Sequence, residues 1–373
     1  MSVGSVDKAP PEGGNAANRR TRAENLVVFR KVWPWLFFAI MVAAFSLASQ
    51  AANQVTFISF RSVQGILEYA TQILLVGLGE TIVIITGGID LSSGWVLGFS
   101  SVIGASVMQA LYAAGAPPTV TIGAGMLSGI LIAIVPGWIN GLLIAKVKVT
   151  PFIVTLGMGF IVEGIALLIS KGQTVAQQPP YLAPLGNSSL LYFWPGHGIT
   201  FFSAPEAATA ADLQSVIPLM PNIVFVTIIV TAIFWFILAK TQFGQHLYAI
   251  GGNMEASIRA GIPVARTLIK VYILAALVAG IAGMLWAARF TGGSYNAGSV
   301  TTLNAIAAVV IGGASLAGGE GTIVGTILGA LILGTIQYGL VVLGVSSFWQ
   351  FVAVGVVVIF AVVMDQLGRK LGK

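Results

Sequence analysis

From Leu91 to Ala145 the chain runs 55 residues without one Asp, Glu, Lys or Arg. A helix that crosses a bilayer takes about 20 apolar residues, so this run alone holds two. It is longer than a membrane-barrel strand and lacks the alternation over about ten residues that such a strand shows. The rest of the sequence continues the theme: 57% of its 373 residues are hydrophobic and 8% are charged, where a soluble domain carries about a quarter charged residues. A soluble enzyme is excluded. The 46 glycines fit membrane helices, whose backbones approach closely across small residues. The expected fold class is all-α, a polytopic membrane helical bundle.

Breaking the apolar runs at proline, glycine and charge clusters predicts about ten transmembrane helices, near 32–52, 65–86, 91–113, 120–145, 150–170, 220–239, 268–290, 301–317, 321–343 and 347–366. With both termini in the cytoplasm, only Arg61, Lys171 and Arg289 of the 18 basic residues fall outside. Inside loops are enriched in Lys and Arg, so the net charge of +6 follows from orientation and needs no nucleic acid. Residues 1–31 are expected to be a disordered cytoplasmic tail. They are too long and polar for a usual leader, so Val32–Ser49 is expected to remain as a span, within a transmembrane domain of residues 32–367. Residues 171–219 form a long outer loop rich in proline, with Tyr181, Tyr192 and Trp194; interface anchoring and docking of an external partner both account for it. Residues 240–267 form a loop on the inner side.

The chemistry is sparse. With no cysteine, and only His197 and His246 without companions at ligand spacing, neither a metal centre nor a thiol nucleophile is expected. No G-x-x-x-x-G-K-[ST] occurs, so this polypeptide lacks that phosphate-binding loop, and no nucleophile–base set is visible. Intramembrane carboxylates are costly and default to functional candidates; Glu68, Glu80 and Glu163 qualify. The stretch Thr86-Gly-Gly-Ile-Asp-Leu-Ser92 is either a broken helix lining a wet cavity or a turn in which Asp90 caps the next helix. Residues 254–261 read as a short helix, with Glu255 in its first turn and Gly261-Ile-Pro263 as its stop. Gly87, Gly88, Leu91, Gly94, Gly104 and Ala105 recur at the same spacing as Gly312, Gly313, Leu316, Gly319, Gly329 and Ala330. Duplicated halves and coincidence in a glycine-rich chain both account for that echo.

Over residues 60–366 the sequence resembles the permease subunits of bacterial ATP-binding-cassette sugar importers, the ribose/xylose/galactoside branch of the carbohydrate and branched-chain amino acid permease family. The resemblance rests on Thr86–Ser92, on Val149-Thr-Pro-Phe-Ile-Val-Thr-Leu-Gly157, on Ala249-Ile-Gly-Gly-Asn253, on the stretch from Ala305 to Gly319, and on Gly344-Val-Ser-Ser347. It implies a permease homodimer in the bacterial inner membrane, a periplasmic solute-binding protein that delivers cargo, and a cytoplasmic ATPase that hydrolyses the ATP. No cofactor is expected on this chain. Glu255-Ala256-Ser257 with Gly261 is similar to the E-A-A-x-x-x-G loop that grips the ATPase, and Arg259 lies in the same helix.

The expected cargo is a neutral monosaccharide or polyol, because a pathway short of fixed charge suits an uncharged solute. Glu80, Thr86, Gly87, Gly88, Asp90, Ser92, Thr155 and Asn304 are the expected pathway residues. Glu163-Gly164 and Asn304 depart from the charge usual in the family, so the particular sugar stays open. Two rivals stand: a proton-coupled secondary transporter using Glu80 or Asp90, and an amino acid permease of the same family.

Overall fold

The computed structural model describes residues 13–52, 56–203, 215–346, 348–356, 359 and 363, with side chains from residue 32 onward. Helix α1 (Gly13–Ala51), α2 (Phe60–Ile85), α3 (Ser93–Ala113), α4 (Pro118–Leu142) and α5 (Pro151–Ser170) form the first half. A short α6 (Leu182–Asn187) and three strands, β1 (Ser189–Trp194), β2 (Gly198–Phe201) and β3 (Ile217–Pro221), separate it from α7 (Asn222–Lys240), α8 (Gln242–Gly252), α9 (Met254–Arg259), α10 (Val264–Phe290), α11 (Thr301–Ile311) and α12 (Ile323–Val342). Among the described residues eight helices are long and apolar enough to cross a membrane: α1, α2, α3, α4, α5, α7, α10 and α12. The all-α bundle expected from the sequence is therefore present.

The helix starts follow from local chemistry. Ser59 accepts a hydrogen bond from the Ser62 amide at 3.2 Å, capping α2, and Thr322 accepts from Gly325 N at 3.0 Å, capping α12. Pro151 opens α5 at its first position, where no backbone donor is needed. Helix α4 loosens into a π-helical turn at Leu143–Val147 and stops at Lys148, whose φ is 61°. Helix α2 is the central element, buried from Leu75 to Ile85 and surrounded by α10, α11, α12 and α7. Close packing relies on small residues: a Cβ at Gly137 on α4 would strike the Tyr272 carbonyl and Ala276 on α10, and one at Gly280 would strike Ala133.

Several expectations need correcting. The segment expected at 301–317 ends at Ile311, because Gly312 and Gly313, the latter at φ 93°, turn the chain. Its 11 residues reach about 16 Å, half of a bilayer core of about 30 Å. Along the 171–219 loop the chain forms α6 and an antiparallel sheet of order β2-β1-β3, elements not expected from the sequence; 204–214 lie outside the described residues. Helix α1 begins at Gly13, inside the stretch expected as a disordered tail. Extending an existing helix adds one bond per residue and avoids a new nucleus. Of the segment expected at 347–366, residues 348–356 are helical and most of the remainder lies outside the described residues.

Candidate functional site

Four of the five motifs singled out in the sequence meet at the end of α2. After Ile85 the chain leaves the helix, and Gly87, at φ 81°, takes a backbone conformation that favours glycine. Gly319 N donates to the Ile85 carbonyl at 2.9 Å, which brings the turn between α11 and α12 against the turn between α2 and α3. Gly251 fits between them: a Cβ there would strike both the Ile85 carbonyl and the Gly319 amide. Tyr248 Oη on α8 donates to the Gly321 carbonyl at 2.7 Å, a second tie to the same turn. From the fourth motif, Thr155 Oγ1 accepts from Leu91 N at 3.1 Å and donates to the Ile89 carbonyl at 3.3 Å.

The polar side chains of this junction form a sealed knot. Asp90 Oδ1 accepts from the Ser92 amide at 2.8 Å and from Ser92 Oγ at 2.6 Å, the short-range pattern of an Asx turn. Asn140 Nδ2 on α4 donates to Ser92 Oγ at 3.0 Å. Glu80 Oε1 accepts from Ser93 Oγ at 2.8 Å, and Ser93 Oγ lies 3.2 Å from Thr302 Oγ1, which also accepts from Gly94 N at 2.7 Å. The two carboxylates are each 1% exposed. Glu80 Oε2 and Asn140 Oδ1 are buried without a hydrogen-bond partner among the described residues.

Two cavities lie near the knot, and opposite ends of α10 line one each. Beside the start of α10, a cavity of about 780 Å³ is lined by Thr86, Gly87, Gly88, Lys148, Ile258 and Arg266. Beside its end, a cavity of about 330 Å³ is lined by Gln72, Trp286, Arg289, Asn304 and Gln337, with Glu68. Arg289 and Glu68 pair there at 2.8 Å. The expected pathway residues therefore divide three ways. Glu80, Asp90, Ser92 and Thr155 belong to the knot, Thr86, Gly87 and Gly88 border the first cavity, and Asn304 borders the second. Glu163 on α5 lines neither.

Next to the first cavity lies α9. Asn253 caps it, its side chain accepting from Ala256 N at 2.9 Å, and Gly261, at φ 79°, ends the turn. Met254, Glu255, Ala256, Ile258 and Arg259 are exposed, with Glu255 and Arg259 in an i,i+4 pair at 3.7 Å. Ser257 is buried, its hydroxyl donating to the Asn253 carbonyl at 2.9 Å, so it shapes the helix from within and presents nothing outward. Gln72, Trp286 and Gln337 were not among the residues expected from sequence. The available signal was an uncharged amide inside an apolar span, but which faces converge depends on helix packing.

Residues 62–363 match the family described as branched-chain amino acid transport system / permease component. The chain is 37% identical over 343 residues to the ribose import permease protein RbsC of Bacillus subtilis, covering 91% of this chain and 94% of the relative. It is 36% identical over 306 residues to the fructose import permease protein FrcC of Rhizobium meliloti, covering 82% and 78%. With the galactose/methyl galactoside import permease protein MglC of Escherichia coli the identity is 35% over 316 residues, covering 84% and 88%. No solved structure gives a significant match.

Proposed function

The chain belongs to the branched-chain amino acid transport system / permease component family, and from that premise we propose that this multi-pass membrane protein carries a neutral monosaccharide or polyol into the cytoplasm as the permease subunit of a binding-protein-dependent ATP-binding-cassette importer. Two copies in the bacterial inner membrane enclose the path. A periplasmic solute-binding protein delivers the cargo to the side of the small sheet. A cytoplasmic ATPase supplies the energy, and this chain binds no cofactor. The relatives named for ribose, fructose and galactose import support the cargo class.

The observation that carries the mechanism is the junction at Gly251. The exposed face of α9, made of Met254, Glu255, Ile258 and Arg259, is the surface for the ATPase. Two residues upstream of that helix, Asn253 and Gly252 lead to Gly251, which sits against the Ile85 carbonyl and the Gly319 amide. A displacement of α9 is thus passed by direct backbone contact to the two glycine turns that end α2 and α11. Movement of these ends opens one cavity as the other closes, while the hydrogen-bonded knot keeps solute from leaking. Glu255→Arg should abolish co-purification with the ATPase and leave membrane insertion intact; unchanged ATPase recovery would refute the role of α9.

One observation favours proton coupling instead, because the unpartnered Glu80 Oε2 is what a proton carrier would offer. Glu80→Gln keeps an acceptor for Ser93 and removes the titratable group. ATP-driven uptake by Glu80→Gln, insensitive to an uncoupler, supports the importer reading; uptake by the unaltered chain that collapses with an uncoupler and needs no ATPase supports the rival.

A further inference from the structure

Gln72 on α2, Asn304 on α11 and Gln337 on α12 face one cavity from three helices that pack together. Gln72 lies near the middle of the 26-residue α2, so the site is at membrane depth. There a polar group without a hydrogen-bond partner is expensive. No side-chain hydrogen bond joins any of the three amides to another described residue, although Asn304 is only 8% exposed. Around Asp90, by contrast, the side chains of Asp90, Ser92, Ser93 and Thr302 are tied to one another or to backbone, with Glu80 Oε2 and Asn140 Oδ1 left over. Three untied amides lining one cavity keep their hydrogen-bonding groups available to whatever enters it.

The lining specifies the chemistry of that partner. A primary amide offers two donors and an acceptor and carries no charge, which matches hydroxyl groups that both give and take hydrogen bonds. The charged groups of the lining, Glu68 and Arg289, pair with each other at 2.8 Å, so their charges offset one another and the cavity carries no net charge from them. Trp286, with its ring 4.7 Å from that of Phe290, supplies a flat apolar wall for the C–H face of a sugar ring. Ligand sites commonly combine an apolar wall with a few placed polar groups. Asn304 and Gln337 also line a second cavity of about 610 Å³ that includes Gln350, so the amide surface continues past the first.

We propose that Gln72, Asn304 and Gln337, backed by Trp286, form a hydroxyl-recognising subsite through which the permease itself contacts an uncharged sugar in transit. The subsite rests on the importer reading above and adds a specificity element on the permease. The test uses proteoliposomes holding the whole importer, with D-ribose, D-fructose and D-galactose as probes, each presented on saturating binding protein. Gln72→Leu, Asn304→Leu and Gln337→Leu should each lower the uptake rate about three- to tenfold, the worth of a hydrogen bond between uncharged groups. Asn304→Ser and Gln337→Asn, which keep hydrogen-bonding capacity, should restore part of the rate and change the ratio of rates among the sugars. A purely structural role would not alter that ratio. Unchanged uptake in the three leucine variants overturns the subsite while leaving the importer reading intact. So does an equal fall for every sugar accompanied by loss of cross-linking between permease copies, which would make the amides a bridge in the dimer. Wild-type importer that assembles yet carries none of the three sugars overturns the neutral-sugar reading, and the subsite with it.

Discussion

Two clusters of polar side chains in this bundle, around Asp90 and around Asn304, are treated in opposite ways. At the first, Asp90, Ser92, Ser93, Asn140, Thr155 and Thr302 are bonded to one another or to backbone. At the second, Gln72, Asn304 and Gln337 line a cavity and bond to no described neighbour. Helix α2 contributes to both, Gln72 to one and Glu80 to the other, about 12 Å apart at 1.5 Å per residue. On the proposed reading the difference separates framework from pathway: the bonded groups hold helix breaks in register, and the open amides meet a passing solute.

The contrast can be broken most severely at the junction that supports the tied side. Gly251→Val places two methyl groups against backbone of α2 and of the 311–322 turn, which cannot swing aside as a side chain would. The expected loss is about 3 kcal/mol, the upper end of overpacking, seen as loss of monodisperse protein after mild heating in detergent. Asp90→Ala comes next, because it strands the Ser92 amide and hydroxyl, at about 1–3 kcal/mol. Asp90→Asn retains an acceptor for Ser92 and should lie well below Asp90→Ala in the same heating assay. On the untied side Gln337→Leu should cost no heat resistance, since it removes an unsatisfied amide from an apolar setting, while still slowing uptake. A drop in stability matching that of Asp90→Ala would erase the distinction. The smallest effect is expected for Arg259→Ala, whose partner Glu255 is 85% exposed. An exposed pair of this kind stabilises little, so the heating curve should not move.

Much of the architecture was legible in the sequence, and its limits are instructive. An uncharged run from Leu91 to Ala145 leaves only membrane helices as a solution, and the boundaries of α3, α5 and α7 follow within a few residues. Helix α11 was read too long because Ala305–Ala314 carries no polar side chain; its end is set by Gly313 adopting positive φ, which hydropathy does not report. The strands after α6 went unseen in a proline-rich stretch whose pairing is fixed by partners, as in Tyr192 opposite Thr200. The motifs at 86–92, 149–157, 249–253 and 305–319 were each visible, yet nothing in their spacing said that they converge. Gly251 was part of a motif without a reason until its contacts with Ile85 and Gly319 appeared. Conversely Glu80 drew notice as an intramembrane carboxylate and Asp90 as part of a helix break or turn, and their placement in one buried knot could come only from packing. Glu163 has no explanation in the structure.

The account stands or falls on where the energy for transport comes from, and purified protein in liposomes tests that directly. The permease alone, given an imposed proton or sodium gradient, should accumulate none of D-ribose, D-fructose or D-galactose. Adding the ATPase, the sugar-loaded binding protein and ATP should produce concentrative uptake of at least one of them. Concentrative filling by the permease alone, driven by the ion gradient, would contradict the account.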